Sequence, residues 1–263
     1  MITLPKVSSK TVCYFISMFF YSGIIYAQVN TETLRAGSLQ DGFRLTTNFN
    51  FGLAEGNTSY LNLLGNVRLD HQKNNNRSFA VIQYSRAVQD DELFQNAGFL
   101  ALRNTNYFKP EIGWEIFAQQ QFDEFLRLRD RKLIGSGMRL RLYNVESTDE
   151  EKKLQLILGV GGMYEYEDID AIIPETHSLI RSTNYLSVQW VLNARVSMNA
   201  VTYMQIAVSD LMNYRNLLES SIAVKLAESL SLTVGVNHRY DSKPPAGVEP
   251  YDIIIRNGLQ LLF

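Results

Sequence analysis

His71, His177 and His238 are the three imidazoles of the chain, and acid–base chemistry would have to be sought around them. His238 has the richest surroundings, with Asn237 beside it and Asp241 and Ser242 just behind. A serine, a histidine and an amide can hydrolyse esters, provided the base lies within a hydrogen bond of the nucleophile. Closeness in sequence does not supply that reach, and the order around His238 has no His-x-Ser spacing. His71 and His177 fall in stretches that read as connections. Acidic groups gather at Asp90, Asp91 and Glu92 and again at Glu165, Glu167, Asp168 and Asp170. Carboxylates of that kind suit calcium, but charged solvated loops look the same. The one cysteine, Cys13, lies near the N-terminus, so disulfides, thiolate metal sites and thiol nucleophiles are not expected beyond it. No His-Glu-x-x-His, phosphate loop or Gly-x-Ser-x-Gly occurs. No catalytic residue, metal or cofactor is therefore assigned.

A second set of charged residues recurs along the whole chain: Arg44, Arg68, Arg103, Glu115, Arg139, Arg141, Arg181, Arg195, Glu219, Lys225, Arg239 and Arg256. Each falls in the polar phase of an alternating stretch, and the basic members far outnumber the acidic ones. Charges withdrawn from bulk water need partners or water of their own. Rings of arginine and lysine favour anions in pores. Two readings stay open: an Arg–Glu and Arg–Gln network that plugs a narrow interior, or a narrow anion-leaning passage.

The elements that must carry these residues are strands. From residue 42 onward the hydrophobic period is two. Phe43, Leu45, Thr47, Phe49, Phe51 and Leu53 alternate with polar residues, and Leu61 to Leu69 repeats the pattern after a turn at 55–57. Further strands are expected at 77–88, 96–107, 112–122, 133–142, 154–166, 179–195, 199–209, 215–227, 230–240 and 251–263, twelve in all. Lys109-Pro110, Ser197-Met198 and 227–229 read as tight connections. Segments 89–95, 124–130, 144–153, 167–178, 210–214 and 241–250 read as longer loops. A net charge of −2 and a mean hydropathy of −0.12 do not announce a membrane protein. A transmembrane barrel escapes bulk hydropathy because only alternate residues meet lipid.

The first residues form a separate object. Lys6 and Lys10 precede an uncharged run from Thr11 to Ala27, then a polar segment. A basic start, an apolar middle and a small boundary residue describe a secretory signal peptide. The expected organisation is a signal peptide over 1–27, a periplasmic extension over 28–41 and a barrel over 42–263.

The C-terminal strand sets Tyr251, Ile253, Ile255, Asn257, Leu259, Leu261 and Phe263 on one face and ends on an aromatic residue. It resembles the closing strand of bacterial outer-membrane barrels, which implies that Tyr251, Leu259, Leu261 and Phe263 address the barrel-assembly machinery. The stretch from Tyr240 to Val248, with its Pro-Pro-x-Gly-Val loop, followed by that strand, is similar to the end of the salt-induced outer membrane protein family, domain of unknown function 481. The resemblance implies a small outer-membrane barrel and carries over no catalytic residue. The resulting expectation is an all-β, single antiparallel transmembrane β-barrel of about twelve strands in the cell outer membrane. Its partners would be outer-membrane lipid and the assembly machinery, with no nucleic acid. A structural or envelope-stress role, or a narrow anion-leaning channel, comes first. An outer-membrane enzyme with a phospholipase-like rim site and a soluble periplasmic ligand-binding barrel are the alternatives.

Overall fold

The computed structural model describes residues 41–56, 59–147, 152–171 and 175–261. The signal peptide expected over 1–27 and all but the last residue of the extension expected over 28–41 lie outside them. Twelve strands follow in chain order: β1 (Gly42–Ala54), β2 (Tyr60–Lys73), β3 (Asn76–Gln89), β4 (Glu92–Lys109), β5 (Ile112–Asp123), β6 (Leu128–Ser147), β7 (Lys152–Ile169), β8 (Glu175–Asn193), β9 (Val196–Ala207), β10 (Asp210–Ala227), β11 (Leu230–Asp241) and β12 (Tyr251–Leu261). Each pairs antiparallel with its neighbour in sequence, giving one sheet in the order β1 to β12. A 3-10 turn, Glu124–Leu126, joins β5 to β6. Among the described residues no helix is long and apolar enough to cross a membrane, which says nothing of strands.

Register turns the period-two pattern into two continuous surfaces. Leu69, Ala80, Leu102, Ala118, Ile134, Tyr164 and Ile180 are successive cross-strand partners on one face. One residue along, Phe79, Arg103, Phe117, Gly135, Met163, Arg181 and Ala207 are successive partners on the other. A shift of one residue would exchange the two sets, so the apolar rhythm fixes the pairing. Strands that are not neighbours meet on the second face: Tyr185 of β8 reaches Glu115 of β5, and Arg215 of β10 reaches Glu167 of β7. The sheet is therefore curled, with that face inside.

The curl is not closed. Among the described residues β1 and β12 are edge strands that do not pair with each other, and β1 is largely exposed along its length. The twelve-stranded antiparallel sheet stands as expected, but as an open curl.

Several connections are shorter than the sequence suggested. Asp90 and Asp91 alone join β3 to β4, with φ of 49° and 64°, where 89–95 read as a loop. Paired positive φ values are the type I′ arrangement that matches strand twist, and Asp tolerates it. The charged segment 144–153 also read as a loop, yet Asn144 and Val145 pair with Gln155 and Leu154. Strands continue beyond an apolar belt because backbone pairing does not require apolar side chains. For the same reason β7 runs on to Ile169 and β8 starts at Glu175. The turn expected at Ser197-Met198 lies at 194–195, where Asn193 Oδ1 accepts from the Arg195 and Val196 amides at 2.8 and 2.9 Å. One end of the sheet carries two-residue turns at 74–75, 110–111, 194–195 and 228–229, while the other carries two-residue turns at 90–91 and 208–209 together with longer connections such as 242–250.

Candidate functional site

Much of the inner face is built from carboxylates held by guanidinium groups. Strand parity puts Glu165 and Glu167 of β7 inward, and the curl brings Arg131 of β6, Arg181 of β8 and Arg215 of β10 to them. Arg181 Nε donates to Glu165 Oε1 at 2.6 Å, and Arg131 donates to Glu165 Oε2 through Nε at 2.8 Å and also through Nη2. Arg215 forks onto Glu167, Nη1 to Oε1 at 2.7 Å and Nη2 to Oε2 at 3.0 Å, and its Nε donates to Asp241 Oδ2 at 2.7 Å. Such two-pronged contacts are strong and directional. Glu165 and Arg181 are each only 1% exposed. Taking charges out of water costs several kcal/mol per ion, offset only when geometry and hydrogen bonds are good. That is the case here.

A second cluster lies toward the end with the tight turns. Glu115 Oε2 accepts from Arg103 Nη1 at 3.3 Å and from the Tyr185 hydroxyl at 3.0 Å, and its Oε1 accepts from Thr105 at 3.1 Å. Arg139 Nη1 donates to the Tyr185 oxygen at 2.8 Å. The Arg103 guanidinium also lies 4.8 Å from the centre of the Phe117 ring, a cation–π contact. Between the two clusters only small spaces are left, about 20 Å³ beside Arg131 and Gln205 and about 10 Å³ beside Glu115 and Tyr203. A single water needs roughly that much, so this part of the interior is packed.

The remaining charged residues sit nearer the open edges. Arg68 Nε donates to buried Asp70 at 2.6 Å, with Arg44 3.6 Å from the same carboxylate. Arg239 Nε donates to Asp252 at 2.9 Å. Glu219 and Arg256 line a cavity of about 150 Å³ with Asn199, Ser221 and Asn237. Arg141 is half-buried beside a register shift in β6.

One predicted position departs from the expectation of an inward set. Arg195 is exposed in the β8–β9 turn, because Asn193 turns the chain two residues before the expected strand end. Lys225 keeps the phase of Glu219 but is exposed at the bulged end of β10. The expected surplus of arginine is also corrected. Asp70, Glu165, Glu167, Asp241 and Asp252 are partners that the sequence reading placed in loops or left out. Arg131 and Arg215 were missed with them. Extending the strand parity by one or two residues would have found most of these.

The histidines are not brought together. His238 lies on the outer face, paired across strands with Leu218 and Ile253. The Ser242 hydroxyl is engaged with backbone, donating to Met212 O and accepting from Tyr214 N, each at 2.8 Å. His71 lies in β2 rather than a turn, its ring 4.3 Å from that of Phe43. His177 faces Glu175 at 3.3 Å on an exposed strand start. Among the described residues no group of three or more His, Cys, Asp and Glu is placed to hold a metal ion. Tyr251 and Leu259 are exposed on the outer face, at 55% and 63%. Leu261 pairs with Leu230, and Phe263 lies outside the described residues.

The family model described as protein of unknown function, DUF481, matches residues 47–263, and the chain belongs to that family. No curated protein matches it.

Proposed function

We propose that this member of the DUF481 family is a non-enzymatic outer-membrane β-barrel, a structural or envelope-stress component whose interior is closed by ion pairs. The observation that carries the reading is an inverted distribution of polarity. Ile116, Ile134, Ile180 and Ile255 are 52–69% exposed on the outer face, whereas Arg181, Glu165 and Asp70 are at most 2% exposed inside. Water would reverse that arrangement, and a bilayer favours it. Outer-membrane lipid is then the partner of the outer face. The C-terminal strand, with Tyr251 and Leu259 outward, is the segment the assembly machinery would meet.

Lipid also supplies the reason for closure. An open strand edge leaves N–H and C=O groups unpaired, at several kcal/mol each in hydrocarbon. β1 and β12 run antiparallel when an even-numbered sheet closes on itself, so a β1–β12 seam completes the ladder. The test is a cysteine scan in protein inserted into membranes. One cysteine replaces Thr46, Asn48 or Asn50 and the other Ile254, Arg256 or Gly258. At least one pair should cross-link, as should the cross-strand control Asn237/Ile254. A control that cross-links while no seam pair does would defeat the barrel. Recovery of the protein in the soluble periplasm would defeat the location. A narrow passage is the second reading, supported by the cavity of about 150 Å³ beside Arg256 on the β9–β12 side.

A further inference from the structure

We infer that the loop 242–250 between β11 and β12 is a strap that closes the loop-bearing mouth and is latched by Val248 onto the turn between β5 and β6. The inference rests on the barrel reading for there being a mouth to close, and goes beyond it in assigning what closes it and how the closure is held.

The topology makes the contact informative. In the twelve-strand order the β5–β6 turn and the β11–β12 loop are six strands apart, which is half a circuit of the proposed barrel. At about 4.8 Å between neighbouring strands, a ring of twelve is about 18 Å across even before tilt widens it. A segment that leaves at residue 242 and returns by 250 reaches at most about 15 Å. The two can touch only if both lean over the opening, and they do touch. Val248 packs on Leu126 and Leu128, each 8% exposed. A Cβ on Gly247 would stand 3.4 Å from Arg127 Nη2, so the glycine, at φ +81°, lies against that guanidinium. The landing site is preformed, since Asp123 Oδ1 accepts from the Phe125 and Leu126 amides at 3.1 and 3.3 Å and fixes the turn that presents Leu126.

The loop is built as a stiff arm. Its neck is closed by the Asp241 amide donating to Pro250 O at 2.8 Å. Its root is tied to β10 by Ser242, which bonds Tyr214 N and Met212 O, and by an ion pair from Lys243 to Asp210. Pro244 and Pro245 have fixed φ, and Val248 N donates back to Pro245 O at 3.0 Å to shape the tip.

Asp241 couples the arm to the interior. Its Oδ1 accepts from Lys243 N at 2.9 Å, inside the strap, while its Oδ2 accepts from Arg215 Nε at 2.7 Å, inside the ion network. One carboxylate therefore anchors both the lid and the layer beneath it, and lifting the arm pulls on the plug.

The test measures how fast a charged maleimide labels a cysteine replacing Asn237, on the inner face of β11, in protein that carries no other cysteine. Val248→Asp should speed labelling about tenfold, the factor expected from exposing one aliphatic side chain. Val248→Thr, of the same shape, should do so less. Ala246→Asp, on an exposed part of the same loop, should leave the rate unchanged. Rates equal to the parent in both Val248 variants would overturn the strap, and so would equal acceleration by Ala246→Asp. If Val248→Asp does not fold, Val248→Thr decides alone. The seam cross-link is scored in the same preparations. A parent that cross-links yet already labels as fast as Val248→Asp loses the strap, whereas a parent that fails to cross-link loses the barrel.

Discussion

Glu165 is the residue on which the interior turns, because the guanidinium groups of Arg131, Arg181 and Arg215 all donate to it. Glu165→Gln keeps the shape and removes the charge, leaving three buried cations short of a counter-ion. Breaking a buried pair by removing one partner costs about 3–5 kcal/mol. That loss should appear as a lowered midpoint of guanidinium unfolding in detergent. Combining it with Arg181→Met should recover part of the loss, since a buried pair exchanged for apolar groups is often neutral. The rim pair Arg129–Asp170, half exposed on both sides, sets the contrast. Asp170→Asn should cost less than about 1 kcal/mol. If Glu165→Gln proves as mild as Asp170→Asn, the network is decoration. Arg215→Lys is not a conservative change either, because an ammonium cannot reproduce the fork onto Glu167. At this scale the sequence was only half legible. Arg103, Arg139 and Arg181 could be placed inside by parity, but the link from Tyr185 to Glu115 spans 70 positions and leaves no local trace.

Elements position these residues by leaving room for them. Gly159 of β7 sits in register between Arg139 of β6 and Tyr185 of β8. A Cβ there would fall 1.9 Å from the Tyr185 ring. The ring lies flat over the glycine, and only so does its hydroxyl reach Arg139 and Glu115. Gly159→Leu must lift the ring and should cost about 1–3 kcal/mol as an overpacked position. A fluorescence-monitored unfolding curve of the Gly159→Leu protein unchanged from the parent would show that the ring has another seat. The outer face makes a separate demand. Ile255 is 69% exposed near the middle of β12. Ile255→Arg should cost about 2–4 kcal/mol if the site lies near the bilayer midplane, read as loss of protein from the outer-membrane fraction. Full assembly of that variant would put another solvent against the face. The outward phase was the most legible feature of the chain, because apolar residues repeat at every second position, as Trp114 and Ile116 do in β5 and Ile253 and Ile255 in β12. Strand ends were the least legible. Beyond the apolar belt both phases are polar, so 144–147, 152–153 and 167–169 look like loops although their backbones stay paired.

At the scale of the whole molecule, the open question is what the curled sheet lets through, and charge balance decides it. A list of inward arginines suggests a positive field and a preference for anions. The folded chain sets Glu165, Glu167 and Asp241 against Arg131, Arg181 and Arg215, and the packed spaces between the clusters are no larger than about 20 Å³. Paired charges in contact leave little net potential, and a filled space carries no current. Half-buried Arg256 differs, because it faces the cavity of about 150 Å³ with Glu219. A larger space of about 700 Å³ lies beside Asn48, Asn50, Asn66 and Gln83, so an ion that passes does so away from the sealed clusters, and on the β9–β12 side it would meet Arg256. In planar bilayers the parent should show little conductance and weak selectivity under a salt gradient. Arg256→Glu should move the reversal potential toward cation preference at unchanged low conductance. A strongly anion-selective parent that ignores Arg256→Glu would place the conducting path elsewhere and the arginine surplus back in charge of it.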